Sequence, residues 1–242
     1  HPHLEEFLRI AGDAGFKVIL TTNGTLLPTD DLKPSRHIQF YGDSYTCGYG
    51  TEGTNPSDPF TAETENCRYT YAAMTAERFG ADYMAPGGKG RVFKGKTSNP
   101  KYTMSSRAFY LYDNDLNSKW NFRKSSYRPD ALVIALSTND FSKPNRPTAE
   151  QFADGYRAFI ERLRAEWGND QLPILCVIHS ASAAECVKEM VATIPNTAIV
   201  QIPSDIYDYK TDYGASYHPN RNGQAKMSKY VIDGLSKLTG WK

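Results

Sequence analysis

The sequence of 242 residues is long enough for one α/β domain, or for one domain with a short appendage. Hydrophobic residues make up 40% of it and charged residues 23%, with a formal net charge of +1, as in ordinary soluble globular proteins. Lysines and arginines are scattered among acids, and no apolar run approaches the roughly 20 residues that span a bilayer, so we expect neither a nucleic acid nor a membrane partner. The chain begins with His1 and shows no secretory signal, so its compartment is left open.

The four cysteines do not indicate a metal site. They form no Cys-x-x-Cys pair and no histidine cluster accompanies them, so we expect no metal. Cys47 and Cys176 lie in apolar segments, which favours small buried side chains over disulfides.

Residues 1–27 predict a helix followed by a strand. Leu4, Phe7 and Leu8 recur at helical spacing, and residues 17–22 are strand-like. Residues 28–34 are polar and read as a linker. We therefore predict an appendage with its linker over residues 1–34 and the main domain over residues 35–242.

The main domain alternates strand and helix patterns, which predicts an α/β fold: a mostly parallel sheet covered by helices on both faces. The predicted strands cover residues 37–41, 82–85, 131–136, 173–178 and 198–202. The predicted helices cover residues 68–79, 149–167, 183–191 and 223–238. Ligands of such sheets bind beyond the carboxyl ends of the strands, so we expect the chemistry there.

Residues 94–127 have no clear period and are rich in Ser, Asn, Tyr and Lys. A structureless stretch of this length is uncommon in a compact domain unless it shapes a binding site. Its aromatic residues predict an exposed cleft suited to sugars rather than an acyl tunnel.

The strongest local motif is Gly42-Asp43-Ser44 at the end of the first predicted strand. A serine at this edge of a sheet is exposed, as a nucleophile must be. By itself the motif is more simply a strand followed by a helix that a serine caps.

Two further motifs follow in order. Asn139 comes just after the strand over residues 131–136, where a side-chain amide can donate to a developing oxyanion. His218 lies in a loop before the last helix and is one of only five histidines. Taken singly, Asn139 is a turn residue and His218 a solvated side chain.

In this order the three motifs resemble those of the SGNH (GDSL-type) hydrolases over most of the chain. The resemblance implies a three-layer, flavodoxin-like α/β/α sandwich, with Ser44 as nucleophile and His218 as general base. The oxyanion would be held by the backbone of Ser44, a glycine of the middle block and the side chain of Asn139. No cofactor is implied.

The chain is most similar to the catalytic domain of carbohydrate esterase family two, which removes acetyl groups from plant polysaccharides. The likeness rests on the segments Gly42–Gly50, 60–66, 87–90, 129–134 and 217–220. By position, Gly88 matches the oxyanion glycine, with Gly90 as the alternative. Tyr217 matches an aromatic residue that faces the sugar, and we expect Tyr45 and Trp120 to bind substrate as well. The family also implies secretion.

The sequence departs from the family pattern at three places. Ser137 stands where the family has Gly, and residues 1–27 cannot be the β-sandwich domain that the family often places ahead of the hydrolase. Ala215 replaces the acid three residues before the histidine, so the usual third triad member is missing. Either Asp212 or a backbone carbonyl would then orient His218, and we favour the carbonyl.

The sequence thus predicts a serine esterase that removes short acyl groups, acetyl above all, from a polysaccharide such as xylan. Two alternatives stay open: a lipase-like or thioester-cleaving enzyme with a longer acyl preference, and a non-catalytic carbohydrate-binding protein with a degenerate site.

Residues 1–27 resemble one helix-strand unit of a radical SAM enzyme. The Cys-x-x-x-Cys-x-x-Cys motif of that family is absent, so its chemistry is excluded. We expect this segment either to pack on the hydrolase domain or to pair with a second copy of the chain.

Overall fold

The structure is a computed structural model that describes Glu6, Ile10, Asp13, Pro34 and residues 36–86, 103–111, 115, 117–142 and 146–242. The chain divides into two compact units, His1–Lys33 and Pro34–Lys242. In the first unit Glu6, Ile10 and Asp13 are helical, whereas the strand predicted over residues 17–22 lies outside the described residues. The separate role of the appendage stays a prediction.

Five parallel strands form one sheet in the second unit, in the order β2-β1-β3-β4-β5. This is the flavodoxin-like order that the family resemblance implied. The central strands β3 and β4 are buried at every residue because helices cover both faces, which explains their unbroken apolar sequences. The strands are β1 (Arg36–Gly42), β2 (Ala81–Met84), β3 (Ala131–Ala135), β4 (Ile174–Ile178) and β5 (Thr197–Gln201).

The described helices are α1 (Ser44–Cys47), α2 (Tyr71–Arg78), α3 (Met104–Arg107), α4 (Thr138–Phe141), α5 (Ala149–Trp167), α6 (Ala181–Val191) and α7 (Arg221–Thr239). Short 3-10 turns occur at Ala62–Thr64, Cys67–Tyr69, Phe122–Lys124 and Ala215–Tyr217. Among the described residues, no helix is both long and apolar enough to cross a membrane.

Two apolar clusters, one on each face of the sheet, make the predicted three-layer sandwich. Helices α5 and α6 pack on one face, where Tyr41 of β1 joins them, and helices α2 and α7 pack on the other, with Ile38 and Phe40. This alternation along β1 follows from the two-residue period of a strand.

In the described part of residues 94–127, aromatic side chains pack on the sheet, and the exposed cleft expected there stays a prediction. Phe109 and Phe122 are fully buried in the α5 cluster, and Tyr110 and Trp120 pack against it. These four described side chains therefore extend the core, because residues without a period can still cover a sheet face.

The fold places one crevice at the carboxyl edge of the sheet. Strand β1 pairs with β2 on one side and β3 on the other, with Gly42 opposite Ala135. The chain passes from β1 to β2 on one side and from β3 to β4 on the other. Ligands of such sheets bind between two strands whose connections run in opposite directions. The residues just after β1 and β3 are Ser44 and Asn139.

Candidate active site

The residues on either side of Ser44 fix the backbone of the turn after β1, and this turn places Ser44 at the edge of the sheet. A Cβ on Gly42 would lie 1.8 Å from Oγ1 of Thr46, so only glycine fits there. The carboxylate of Asp43 accepts a hydrogen bond from the backbone N–H of Tyr45 at 3.0 Å and caps the single turn α1. Gly48 ends that turn in the left-handed region, with φ of 84°. The capping residue is thus Asp43, and the Ser44 side chain is left for another contact.

That contact is with His218. Nε2 of His218 lies 2.8 Å from Oγ of Ser44, although 174 positions separate the two residues in sequence. Both side chains are half-buried. The sequence-predicted nucleophile and base are therefore within direct hydrogen-bond reach, the distance that proton transfer needs.

The other ring nitrogen of His218 contacts a backbone carbonyl. Nδ1 lies 2.8 Å from the carbonyl oxygen of Ser216. If Nδ1 carries the proton, it donates to this carbonyl and leaves Nε2 as the acceptor for the Ser44 hydroxyl. This is the geometry that the sequence analysis favoured.

The Asp212 carboxylate makes different contacts. It is almost completely buried, accepts hydrogen bonds from the backbone N–H of Asp208 and the hydroxyl of Thr211, and forms an ion pair with Lys226 of α7. Burial raises the pKa of this carboxyl, but the contacts with Lys226, Asp208 and Thr211 outweigh burial and lower it overall. The alternative of Asp212 beside the imidazole is thus corrected: the acid braces the loop and the carbonyl of Ser216 meets the ring.

Aromatic rings enclose His218. The ring of Tyr45 meets it edge-on at 5.5 Å between centroids, and the tilted ring of Tyr49 lies at 4.5 Å. Tyr49 is itself stacked on Phe60 at 3.8 Å. Burial lowers the pKa of His218 below its ordinary value of 6.5, while the Ser216 carbonyl acts in the raising direction. The imidazole is therefore neutral, and able to accept a proton, at neutral pH.

The carboxyl of Asp43 has a raised pKa, in contrast to that of Asp212. It is buried, and burial together with the nearby charge of Asp140 raises the pKa of its carboxyl to about 7, although the Tyr45 backbone N–H opposes this. Near neutral pH this carboxyl thus carries a proton in part of the molecules, and it serves the turn rather than the imidazole.

Asn139 lies in α4, directly after β3, and is half-buried. The hydroxyl of Ser137, where the family has Gly, accepts hydrogen bonds from the backbone N–H groups of His179 at 2.9 Å and Ser180 at 3.3 Å. This departure from the family pattern therefore joins the turn after β3 to the turn after β4. Gly88 and Gly90 lie outside the described residues.

The three residues expected to bind substrate differ in their surroundings. Tyr217 is 55% exposed and directly precedes His218. The Tyr45 ring instead packs between those of His218 and His179. Trp120 lines a cavity of about 360 Å³ on the flank of the sheet, together with Gln39 of β1 and Met84 of β2.

Four residues of this region were not singled out from the sequence. They are Ser216, which supplies the carbonyl; Tyr49 and His179, which enclose the rings; and Tyr209, which is 58% exposed and 6.3 Å from the Tyr217 ring. A tyrosine five residues after the nucleophile was a visible signal for Tyr49. Nothing in the sequence marks Ser216, because a backbone carbonyl belongs to every residue.

The four cysteines are free thiols. Cys47 donates a hydrogen bond from Sγ to the Ser44 carbonyl at 3.4 Å, and burial raises its pKa to about 11. Within the part of the chain that the structure describes, no group of three or more His, Cys, Asp or Glu side chains could hold a metal ion.

Comparison with known proteins gives a consistent set of relatives. The sequence matches the GDSL-like lipase/acylhydrolase family over residues 40–226. An acetylxylan esterase / glucomannan deacetylase of Cellvibrio japonicus is 26% identical over 98% of this chain and 69% of its own length. The cellulase/esterase CelE of Acetivibrio thermocellus is 27% identical over 85% of this chain, which spans only 26% of that relative.

Solved structures resemble this fold as well. A family two carbohydrate esterase from Clostridium thermocellum, in complex with cellohexaose, superposes with a TM-score of 0.75 at 26% identity, over 93% of this chain and 68% of that one. A carbohydrate esterase family 2 enzyme with a carbohydrate-binding domain, from Corynascus thermopiles, superposes with a TM-score of 0.77 at 25% identity, over 93% and 73% of the two chains.

Proposed function

We propose that this chain, which belongs to the GDSL-like lipase/acylhydrolase family by the match of its residues 40–226, is a polysaccharide deacetylase. It is a carboxylic ester hydrolase, and the proposed substrates are acetyl esters on plant polysaccharides such as xylan. The observation that carries the proposal is the 2.8 Å contact between Nε2 of His218 and Oγ of Ser44 at the edge of the sheet.

In the proposed reaction, Oγ of Ser44 attacks the carbonyl carbon of the ester while Nε2 of His218 takes the hydroxyl proton. The tetrahedral intermediate collapses, the carbon–oxygen bond to the sugar breaks, and His218 returns the proton to the leaving hydroxyl. Water then attacks the acetyl-serine, giving its proton to His218. The bond between the acyl carbon and Oγ breaks, His218 returns the proton to Oγ of Ser44, and acetate leaves.

The negative charge on the carbonyl oxygen needs donors that are already in place. The proposed donors are the backbone N–H groups of Ser44 and Gly88 and the side-chain amide of Asn139. The adjacent positions of Ser44 and Asn139, after the paired strands β1 and β3, support two of them. The part of Gly88 rests on the family resemblance.

The imidazolium that forms on His218 needs a partner for Nδ1. The carbonyl of Ser216 is proposed to orient the ring and to accept from Nδ1–H throughout the reaction, since the two atoms are 2.8 Å apart. The proposed centre is accordingly a Ser-His dyad completed by a carbonyl.

The substrate surface is proposed to include Tyr217 and Tyr209. Both rings are more than half exposed and lie 6.3 Å apart, and Tyr217 directly precedes His218 in sequence. The apolar faces of sugar rings pack well on tyrosine, which also offers a hydroxyl. Tyr45, which lies beside the His218 ring, and Trp120, which lines the cavity on the flank of the sheet, are proposed to contact substrate as well.

An acyl-chain series tests the proposal. We expect kcat/KM on 4-nitrophenyl esters to be highest for acetate and to fall with each added pair of carbons, and acetate to be released from acetylated xylan. A preference for octanoate or longer chains would favour the lipase-like alternative. If purified protein gave neither a burst nor turnover with 4-nitrophenyl acetate, while still binding xylo-oligosaccharides, the non-catalytic alternative would stand.

Residues 1–34 are proposed to act in stability or assembly rather than in chemistry. All of the residues assigned to the reaction lie between Ser44 and His218, and the apolar side chains of the segment require cover. The cover would be the hydrolase domain or a second copy of the chain, which gives a homo-oligomer.

A further inference from the structure

The loop that carries His218 has an unusual backbone. Ser216 and Tyr217 both have positive φ, of 55° and 57°, and ψ of Ser216 is 36°. Residues with a Cβ rarely adopt this left-handed region, and two in succession must be held by their surroundings. The conformation matters for function because it sets the direction of the Ser216 carbonyl, which contacts Nδ1 of His218.

The surroundings that hold this backbone are residues 50–58, which we name the clamp segment. Three consecutive amides of the His218 loop donate to it: Ala215 to the carbonyl of Gly50 at 3.1 Å, Ser216 to that of Asp58 at 2.8 Å, and Tyr217 to that of Pro56 at 3.0 Å. Since each bond fixes one peptide plane, the three together fix the path of the chain through Ser216.

Close approach of the two backbones is possible only without side chains. A Cβ on Gly50 would lie 2.3 Å from the carbonyl oxygen of Ala215, and one on Gly53 would lie 2.2 Å from its nitrogen. A Cβ on Gly214 would meet the carbonyl oxygen of Gly50 at 2.0 Å. The clamp segment thus contacts the His218 loop along backbone atoms, where a small displacement would be passed directly to the carbonyl of Ser216.

We propose that the clamp segment positions the general base. It holds Ser216 in the left-handed conformation, so that the Ser216 carbonyl oxygen accepts a hydrogen bond from Nδ1–H of His218 and orients the ring, as a carboxylate does in a Ser-His-Asp triad. This inference rests on the proposed function. Orientation of the base then depends on the backbone conformation of one residue rather than on a charge. The groups that face His218 are the Ser44 hydroxyl, the Ser216 carbonyl and the rings of Tyr45 and Tyr49.

The first test compares Ser216→Val with Ser216→Gly. A β-branched residue disfavours the left-handed region, whereas glycine adopts it freely. The hydroxyl of Ser216 lies a long 3.5 Å from the Asp58 carbonyl, so its loss removes little. We expect Ser216→Val to lower kcat on 4-nitrophenyl acetate by about a hundredfold, with KM within about twofold. Ser216→Gly should recover most of that loss.

The second readout does not depend on turnover. In the wild type, nitrogen NMR of the imidazole should show His218 protonated on Nδ1 at pH 8. In Ser216→Val we expect a mixture of tautomers and a lower His218 pKa, because the carbonyl that stabilises the charged ring has moved. A protein that only loses rigidity would not change the tautomer.

Two glycine substitutions, Gly50→Ala and its control Gly80→Ala, test the proposal if Ser216→Val does not fold. Gly50 and Gly80 both have positive φ, of 72° and 58°, but a Cβ on Gly80 would meet nothing within 4 Å. Gly50→Ala should lower kcat and disturb the tautomer, and Gly80→Ala should do neither. The clamp is overturned if folded Ser216→Val, or folded Gly50→Ala, keeps the wild-type kcat and tautomer. An inactive wild type with His218 still held on Nδ1 would instead overturn the proposed function alone.

Discussion

At the scale of single residues, Ser44 and His218 share one hydrogen bond, and each depends on the other for its chemical role. Ser44→Ala should lower kcat by about three to six orders of magnitude, because no other atom can form the acyl intermediate. His218→Ala should do nearly the same, and the double variant should add little. Turnover of 4-nitrophenyl acetate measures all three; a single variant that keeps more than a tenth of the activity would remove that residue from the mechanism.

The burial of His218 makes a prediction about pH. Because the neutral imidazole is the base, kcat/KM should rise as pH climbs through the His218 pKa and then level off. Burial lowers that pKa, so the acid limb should have its midpoint below 6.5. Rates from pH 4 to 9 in a buffer of constant ionic strength measure it. A midpoint above 7 would mean that a carboxylate, and not a carbonyl, faces the ring.

Asp212 separates the two ways of orienting the imidazole. If the carboxylate acted on His218, Asp212→Asn would cost up to about four orders of magnitude in kcat. Since it contacts Lys226, Thr211 and Asp208 instead, we expect a loss below about tenfold. The free energy of unfolding should fall by about 2 kcal/mol at pH 7, because a buried acceptor loses its charge.

The pH dependence of this stability term follows from the lowered pKa of Asp212. A carboxyl with a depressed pKa in the folded state stabilises the fold above its unfolded pKa and loses that contribution as pH falls through the folded value. The difference between the wild type and Asp212→Asn should therefore shrink in acid. Urea unfolding at pH 7 and pH 3 measures it, and a constant difference would contradict this account.

Single residues also mark the limit of what the sequence could predict about the site. Ser44, Asn139 and His218 were identifiable because each has a side chain with distinctive chemistry at the end of a predicted element. The role of Ser216 was not, because it depends on a left-handed backbone that three hydrogen bonds from a distant segment impose. The sequence indicated that an acid was missing at Ala215 and favoured a backbone carbonyl in its place, but it could not indicate which residue supplies that carbonyl.

At the scale of elements, apolar periodicity located the strands and helices, and capping residues set their ends. The helix predicted over residues 149–167 has those same bounds, with Thr148 capping one end and Gly168 the other. The helix predicted from residue 68 begins instead at Tyr71, because Thr70 accepts from the backbone N–H of Ala73. The last helix begins two residues before its predicted start, because Asn220 caps it. The ends of a helix, which polar capping residues set, are therefore harder to predict from the sequence than its presence, which repeated apolar residues indicate.

One side chain joins three of these elements. Gln224 of α7 is fully buried, accepts from the backbone N–H of Tyr71 in α2, and donates to the carbonyl of Tyr45 in α1. Gln224→Met should lower the free energy of unfolding by about 3 kcal/mol, because two buried backbone groups lose their partners. Lys229→Met, at an exposed position of the same helix, is the control. Equal urea midpoints for the two variants would show that the bridge contributes nothing.

At the scale of the whole molecule, the chain divides after Lys33, and the residues assigned to catalysis all lie in the second unit. Deleting residues 1–28 should leave kcat for a soluble aryl acetate within about threefold, while lowering the melting temperature or changing the number of chains in the particle in solution. Calorimetry and light scattering on both proteins measure this. A truncated chain that stays folded but loses most of its turnover would assign the segment to the active site.

The span between Ser44 and His218 has a consequence for how the protein matures. A growing chain releases the proposed nucleophile early and its proposed base only 174 residues later, after every described strand of the sheet. No fragment that stops short of the last loop contains both groups, so partially synthesised forms hold a serine alcohol without its partner histidine. Hydrolysis of an ester accordingly requires that all five strands have been made and that the last loop has folded against the sheet. The reaction can therefore report the completion of folding.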